Sequence, residues 1–278
     1  MSANRMQRPL IDAAALQAAL MVGEPLYILD CRTRLEESSA GRRLWEAEHI
    51  AGSQHIDLDR DLASPSGEGG RHPLPERAAF TATLQRLGIS SDIPVVVYDD
   101  RGGQLAAARA WWMLHCWAGH ADVRVLDGGI MAWQREGGEL VHGGHRVTPS
   151  HWRPEYDDRM LVTVDSVLST SDVKIDARAL ERFRGEVEPI DRVAGHIPGA
   201  VCRPSTANLT ADGRFKPADR LDAELLRHDR AISYCGSGVT ACHNILAYAI
   251  AGRDLPRLYV GSWSDWIGDP RRPVATGD

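Results

Sequence analysis

The sequence predicts an α/β protein of two similar domains, each a parallel sheet flanked by helices on both faces. Three observations carry that expectation: a length of 278 residues, one set of segments that recurs in the same order, and short apolar runs alternating with helix-length segments. A chain this long exceeds what one hydrophobic core usually serves, and two domains of about 130 residues each are the natural division.

The repeat is read directly from the residues. Leu29-Asp30-Cys31-Arg32 resembles Ile175-Asp176-Ala177-Arg178, and His49-Ile50-Ala51-Gly52-Ser53 resembles His196-Ile197-Pro198-Gly199-Ala200. Val95–Tyr98 then matches Ala231–Tyr234, and the stretch 128–133 matches 261–266. A shared order over the whole chain is the mark of a duplicated unit.

In the first copy, residues 25–30 and 94–98 are short, bounded apolar runs of the kind that form buried parallel strands. Residues 105–117 have the length and composition of a helix, with Trp111, Trp112 and Trp117 on a buried face, and Val123–Leu126 is a further strand. In the second copy, 173–175, Ala231–Tyr234 and 257–260 take the strand roles and 240–250 the helix. Strands alternating with helices imply parallel sheets covered on both sides. The stretch 143–158 is polar and rich in Pro, His and Arg, which suits a linker. The expected division is a first domain over 1–142, a linker over 143–160 and a second domain over 161–278.

Composition narrows the function. With 43% apolar and 25% charged residues the chain reads as an ordinary globular protein. A formal net charge of -6 argues against nucleic acid or an anionic membrane as the partner, so an anionic substrate would need a local basic pocket. Residues 1–10 hold no apolar stretch like a signal peptide, and no run approaches membrane-spanning length, so a cytoplasmic location is the expectation. The five cysteines are odd in number, widely spaced and without a C-x-x-C pair, which makes a disulfide framework or zinc site a poor reading. No cofactor or metal motif is present. A special cysteine here would be a reactive thiol.

Ligands of open α/β sheets sit beyond the carboxyl ends of strands, where the next helix begins. The second copy carries Cys235-Gly236-Ser237-Gly238-Val239-Thr240-Ala241 there; the first carries Asp99-Asp100-Arg101-Gly102-Gly103-Gln104-Leu105. Two glycines let the Cys235 loop curl so that several N–H groups face one centre, and the following helix adds its positive end. Both favour an exposed thiolate at Cys235. Asp99 cannot carry sulfur, so the first domain should be catalytically silent.

That loop, together with Asp176-Ala177-Arg178, the segment Gly195-His196-Ile197-Pro198-Gly199-Ala200 and residues 261–266, resembles the tandem-domain rhodanese sulfurtransferases. The resemblance covers nearly the whole chain, and the Gly-Ser version of the loop is similar to the 3-mercaptopyruvate branch of the family. It implies two rhodanese-like domains and a ping-pong reaction. Cys235 would take sulfane sulfur from a small anionic donor, 3-mercaptopyruvate or thiosulfate, and pass it as a persulfide to cyanide or a thiol such as glutathione or thioredoxin. Gly236, Gly238, Val239 and Thr240 would cradle the sulfur, and Arg182 would hold the donor's anionic group. The first domain has Glu36 at the offset of Arg182. Ser237 would act within the loop or on the donor carbonyl, with His72 and Asp59 of the first domain as assistants.

One departure stands out. The 3-mercaptopyruvate branch carries a second arginine in a Glu-Pro-Arg context, whereas this chain reads Glu188-Pro189-Ile190. Arg192 or Arg184 are the candidates to replace it, and the donor stays open between 3-mercaptopyruvate and thiosulfate. Arg178 and Arg32, and likewise His196 and His49, occur in both copies and read as structural. Cys31, Cys116 and Cys202 read as small buried hydrophobes, as does Cys242 on the following helix. Rhodanese-type phosphatases use Cys-x5-Arg, and Ala241 occupies the position that arginine would need. A persulfide carrier that hands sulfur to a protein partner would use the same loop.

Overall fold

In the computed structural model, residues 8–144 and 146–278 are described. Residues 1–7 of the stretch read for a signal segment, and position 145 of the expected linker, lie outside them. The first half contains β1 (Leu10–Ile11), α1 (Ala13–Met21), β2 (Tyr27–Asp30), α2 (Ala40–Ala47), β3 (His49–Ile50), β4 (Ser53–His55), α3 (Arg77–Arg86), β5 (Val95–Tyr98), α4 (Ala106–Trp112), β6 (Val123–Leu126), α5 (Gly129–Arg135) and β7 (Leu140–Val141). The second half contains α6 (Val164–Ser169), β8 (Val173–Asp176), α7 (Leu180–Arg184), β9 (Ala200–Cys202), α8 (Ala218–Glu224), β10 (Ala231–Tyr234), α9 (Ala241–Ile250), β11 (Arg257–Leu258) and α10 (Ser262–Trp266).

Two parallel sheets result, ordered β1-β6-β5-β2-β4 and β11-β10-β8-β9. The central strands β5 and β10 are buried at every position because both faces are covered, and the one polar residue of β10, Ser233, donates its hydroxyl to the Ala241 carbonyl at 3.0 Å. Along β5, Val95 and Val97 point into one core with α3 and α4, while Val96 and Tyr98 point into another with α1 and α5. The second half repeats this: Ala231 packs with α8 and α9, while Ile232 and Tyr234 pack with α6 and α10.

The core containing α4 also contains α9, so one continuous apolar cluster runs through both halves. By the two-residue period of a strand, the position after Tyr98 or Tyr234 falls on this shared face. Asp99 and Cys235 therefore both start loops at the boundary between the halves.

The expected helix over 105–117 is instead α4 followed by a π-helical turn, Met113–Trp117. The wider turn lets Trp117 stack on Phe80, pack at a tilt against Tyr156 and donate its indole N–H to Asp158 at 2.9 Å. Trp111, Trp112 and Trp117 are buried, as expected.

The duplicated Asp-x-Arg segments are buried ion pairs that close each strand end. Arg32 reaches back to Asp30, and Arg178 to Asp176, with Nη2–Oδ2 distances of 2.6 and 2.7 Å. His49 and His196 match as well, each placing Nδ1 against a main-chain carbonyl, of Trp45 and Phe183. Asp30 is fully enclosed and also accepts the Tyr98 hydroxyl at 2.7 Å. Asp30→Ala strands the buried Arg32 guanidinium, and urea denaturation should show a loss of about 3–5 kcal/mol. A loss under about 1 kcal/mol would mean that Arg32 finds compensation elsewhere.

Candidate active site

The Cys235 loop is fixed from behind by the start of α10. The Cys235 N–H donates to Ser262 Oγ at 3.1 Å, while the N–H groups of Trp263 and Ser264 donate to the carbonyls of Cys235 and Gly236, both at 3.0 Å. Ser262 holds the left-handed conformation (φ 54°), with its hydroxyl donating to the Tyr259 carbonyl at 2.8 Å. Gly238 has φ +78°, and a Cβ there would collide with the Val260 carbonyl, so only glycine fits. Val239 packs into the shared core and Thr240 caps α9; of the loop residues, Ser237 lines the open cleft.

The silent loop shows what such a curl does to an anion. The Asp99 carboxylate accepts N–H bonds from Arg101 and Gly103 at 2.9 and 2.8 Å, and longer ones from Leu105 and Ala107 at 3.3 and 3.4 Å. Burial pushes this carboxyl up and outweighs the converging amides, which pull against it, so its pKa is raised. In the other loop, the hydrogen bonds of Cys235 among the described residues are all made by its backbone.

The expectation of an exposed thiolate ringed by amides is therefore corrected. Cys235 is 2% exposed, because its position on β10 points the side chain to the shared face between the halves. Its sulfur lies under the loop rather than on the open surface.

A cleft of about 460 Å³ opens directly above, with Glu36, Asp59, Arg71 and His72 on the first-half wall and Ile190 and Ser237 on the other. Three expected residues meet here. Ser237 Oγ lies 2.7 Å from His72 Nδ1, and His72 Nε2 lies 3.4 Å from Asp59 Oδ1. Burial, reinforced by the charges of Arg109 and Arg71, lowers the His72 pKa to about 4, so the ring is neutral near pH 7. With Asp59 facing Nε2, the proton sits there, and Nδ1 accepts from the Ser237 hydroxyl.

Arg182 stands where the motif put it. Its Nη1 and Nη2 would each lie 3.7 Å from a Cβ built on Gly236. The substitutes expected for the missing second arginine do not reach the site. Arg192 is drawn away to the main-chain carbonyls of Ile267 and Gly268, and Arg184 to Asp278 near the C-terminus.

The second guanidinium comes from the first half, as Arg71, whose Nη2 would lie 2.8 Å from that same Cβ. Gly70 (φ +97°) makes this possible, because it passes so close to Gly261 and Ser264 that no side chain would fit. The Arg71 N–H then donates to Ser264 Oγ at 3.1 Å. Sequence reading missed this residue, although its place beside His72 in a glycine-rich turn was a usable signal.

Both arginines are paired. Asp191 bridges Arg71 and Arg182, and Glu188 bridges Arg182 and Arg178. Burial pushes Glu188 up, but Arg182 and the N–H groups of Asp191 and Ile190 outweigh it and leave it lowered. At Asp191 burial wins over Arg71, and its pKa is raised. The other cysteines form no disulfide among the described residues, and no cluster there has the make-up of a metal site.

Comparison with known proteins agrees with this geometry. The model of the rhodanese-like domain matches residues 12–136 and again 164–269. A Pseudomonas aeruginosa protein named "Probable 3-mercaptopyruvate sulfurtransferase" is 50% identical, over 95% of this chain and 97% of its own length. The thiosulfate sulfurtransferase of Gallus gallus is 32% identical, over 96% of each chain. Among solved structures, 3-mercaptopyruvate sulfurtransferase from Leishmania major superposes with a TM-score of 0.84 at 31% identity, covering 96% of this chain and 75% of that one. Two matched domains and relatives that align along nearly its whole length lead to one conclusion: the chain belongs to the rhodanese family, as a two-domain sulfurtransferase.

Proposed function

We propose that the protein moves sulfane sulfur from 3-mercaptopyruvate to a thiol or cyanide through a persulfide on Cys235. The observation that carries this reading is the Asp99 carboxylate held by the amides of the silent loop. A carboxylate oxygen stands two bonds beyond Cβ, and so does the outer sulfur of a cysteine persulfide. The thiol sulfur, one bond out, falls short of the ring of amides, while the outer persulfide sulfur reaches into it.

The chemistry follows from the groups present. Cys235 thiolate attacks the donor's sulfur, the carbon–sulfur bond breaks, and its electron pair passes to the pyruvate enolate. The proton of the new S–S–H group ends on that enolate, leaving pyruvate and an anionic persulfide. Ser237, whose single hydroxyl proton rests on neutral His72, would turn that proton from the ring to the enolate oxygen as the donor's carbon–sulfur bond breaks. Gly236, Gly238, Val239 and Thr240 serve as the backbone cradle. Arg71 and Arg182 would grip the donor carboxylate, displacing Asp191, whose carboxylate already occupies that place.

Donor preference follows from charge. Three guanidiniums (Arg71, Arg178, Arg182) face three carboxylates (Asp176, Glu188, Asp191), so the cluster has no surplus charge for a dianion. That favours monoanionic 3-mercaptopyruvate. Thiosulfate is the second reading, supported by the two guanidiniums beside Gly236. The enclosed Cys235 favours small donors over a carrier that docks onto another protein. Five unpaired cysteines suit a reducing compartment such as the cytoplasm, with glutathione or thioredoxin as the acceptor, and no helix among the described residues is long and apolar enough to cross a membrane.

Intact mass spectrometry after adding each donor should show a gain of one sulfur atom, absent in Cys235→Ser and larger with 3-mercaptopyruvate than with thiosulfate. A gain that survives Cys235→Ser would refute the assignment. Arg71→Ala and Arg182→Ala should each raise KM for 3-mercaptopyruvate, a loss of about 1–3 kcal/mol per charged hydrogen bond; an unchanged KM removes that arginine from the site. The lowered pKa of His72 also predicts a pH effect. Between pH 6.5 and about 4 the unfolded chain protonates this ring and the folded one does not, so stability falls with falling pH. Thermal denaturation should show that fall to be shallower in His72→Gln, and equal slopes would contradict the neutral ring.

A further inference from the structure

A buried cation behind the Cys235 loop is not used by anything above. Arg109, on α4 of the silent half, is 0% exposed. Its guanidinium donates to the carbonyls of Gly238 and His72, both at 3.1 Å, and of Leu62 at 3.4 Å, while Nε has no partner. All three acceptors are neutral, and no carboxylate pairs with Arg109 among the described residues. A buried charge without a counter-ion costs several kcal/mol, and an arginine cannot shed its proton to escape that cost.

The other charges around the loop are accounted for. Arg71, from the segment before α3, and Arg182, from α7, share Asp191, and Arg182 and Arg178 share Glu188. His72 is neutral and faces Asp59. From α10 the loop meets the uncharged Ser262. The acidic groups whose charge bears on Arg109 are the thiols of Cys242 and Cys235. Burial pushes Cys242, on α9, up to about 12, with Arg109 pulling the other way, and its Sγ–H points to the Gly238 carbonyl at 3.4 Å. Cys242 gives its Sγ–H to the same Gly238 carbonyl that Arg109 takes, whereas the Cys235 sulfur, at the start of that loop, has no hydrogen-bond partner of its own among the described residues.

We propose that Arg109 is the built-in counter-cation of the sulfur on Cys235, supplied across the domain boundary by the half that has no nucleophile. It acts as a positioning residue: it favours the anionic form of the thiol and of the persulfide while tying Gly238 and His72 together. The inference rests on the persulfide reading given above, and deepens it.

The test is the pH dependence of Cys235 alkylation by iodoacetamide, followed by mass spectrometry of the Cys235 peptide. Arg109→Gln and Arg109→Met should move the midpoint of the rate profile up by about one pH unit or more, while Arg109→Lys, which keeps the charge but not the fork, should hold it near the wild-type value. Equal midpoints in wild type, Gln and Lys variants overturn the proposal. Where a neutral variant folds poorly, a thermal cycle decides. At pH 8, Arg109→Met should lower Tm less in a Cys235→Ser background than in wild type, because the serine leaves the guanidinium nothing to balance; an equal loss overturns the proposal. If wild type gains no sulfur from either donor, the persulfide reading fails; if it gains sulfur while midpoints and Tm losses stay level, only the role of Arg109 fails.

Discussion

The site depends on the packing of α4 against α9. These two helices belong to different halves, yet their apolar faces form one core, and that core holds the silent half rigidly against the Cys235 loop. Its consequences are local and specific. Arg109 reaches from α4 to the Gly238 carbonyl, and His243 reaches from α9 to the Gly102 carbonyl at 3.1 Å, so each helix touches the other half's loop. The turn carrying Arg71 and His72 is pinned above Ser237 by the same docking.

Duplication explains why the second half alone would be incomplete. Both copies keep the strand-end scaffold, Asp30 with Arg32 and Tyr98, and Asp176 with Arg178 and Tyr234. They diverge at the next residue on the shared face. Asp99 fills its own ring of amides with its own carboxylate, which closes that loop to any other anion. Cys235, one bond shorter, makes no such side-chain bonds among the described residues, and on the proposed reading an added sulfur would take them. The silent copy then contributes what the active one lacks: two guanidiniums, a neutral imidazole and the carboxylate that orients it.

Much of this was legible in the sequence, for physical reasons. The strand β5 is a continuous apolar run bounded by turn residues, and β6 and β10 each depart from one by a single residue, Arg124 and Ser233, a pattern that suits strands covered on both faces. Cys235 and its glycines form one contiguous segment, and the matching Asp99 marked where the two copies diverge. Arg71 showed only as a basic residue beside His72 in a glycine-rich turn, because its place at the site comes from a crossing between halves that no periodicity records. Arg109 left a trace: a lone charge in Ala106-Ala107-Ala108-Arg109-Ala110-Trp111-Trp112, where an apolar helix has no solvent face to offer it. The burial of Cys235 followed from the two-residue period of β10, once both faces of that strand were known to be covered. The π turn at Met113–Trp117 left no such trace, since a composition suited to α-helix suits it equally.

The distribution of charge fits a ping-pong cycle. In the proposed cycle the attacking thiolate and the persulfide are both monoanions, so the reacting sulfur would present the same charge to the protein before and after loading. A fixed, buried cation is suited to balance a charge that does not change, and among the described residues no carboxylate pairs with Arg109. The donor's carboxylate, by contrast, comes and goes. On the proposed reading its place would be that of Asp191, between Arg71 and Arg182, whose charges Asp191 and Glu188 cancel in this structure. Permanent and transient anions thus meet different cations: an unpaired one sealed in the core, and a paired set at the cleft that a carboxylate can enter by exchange.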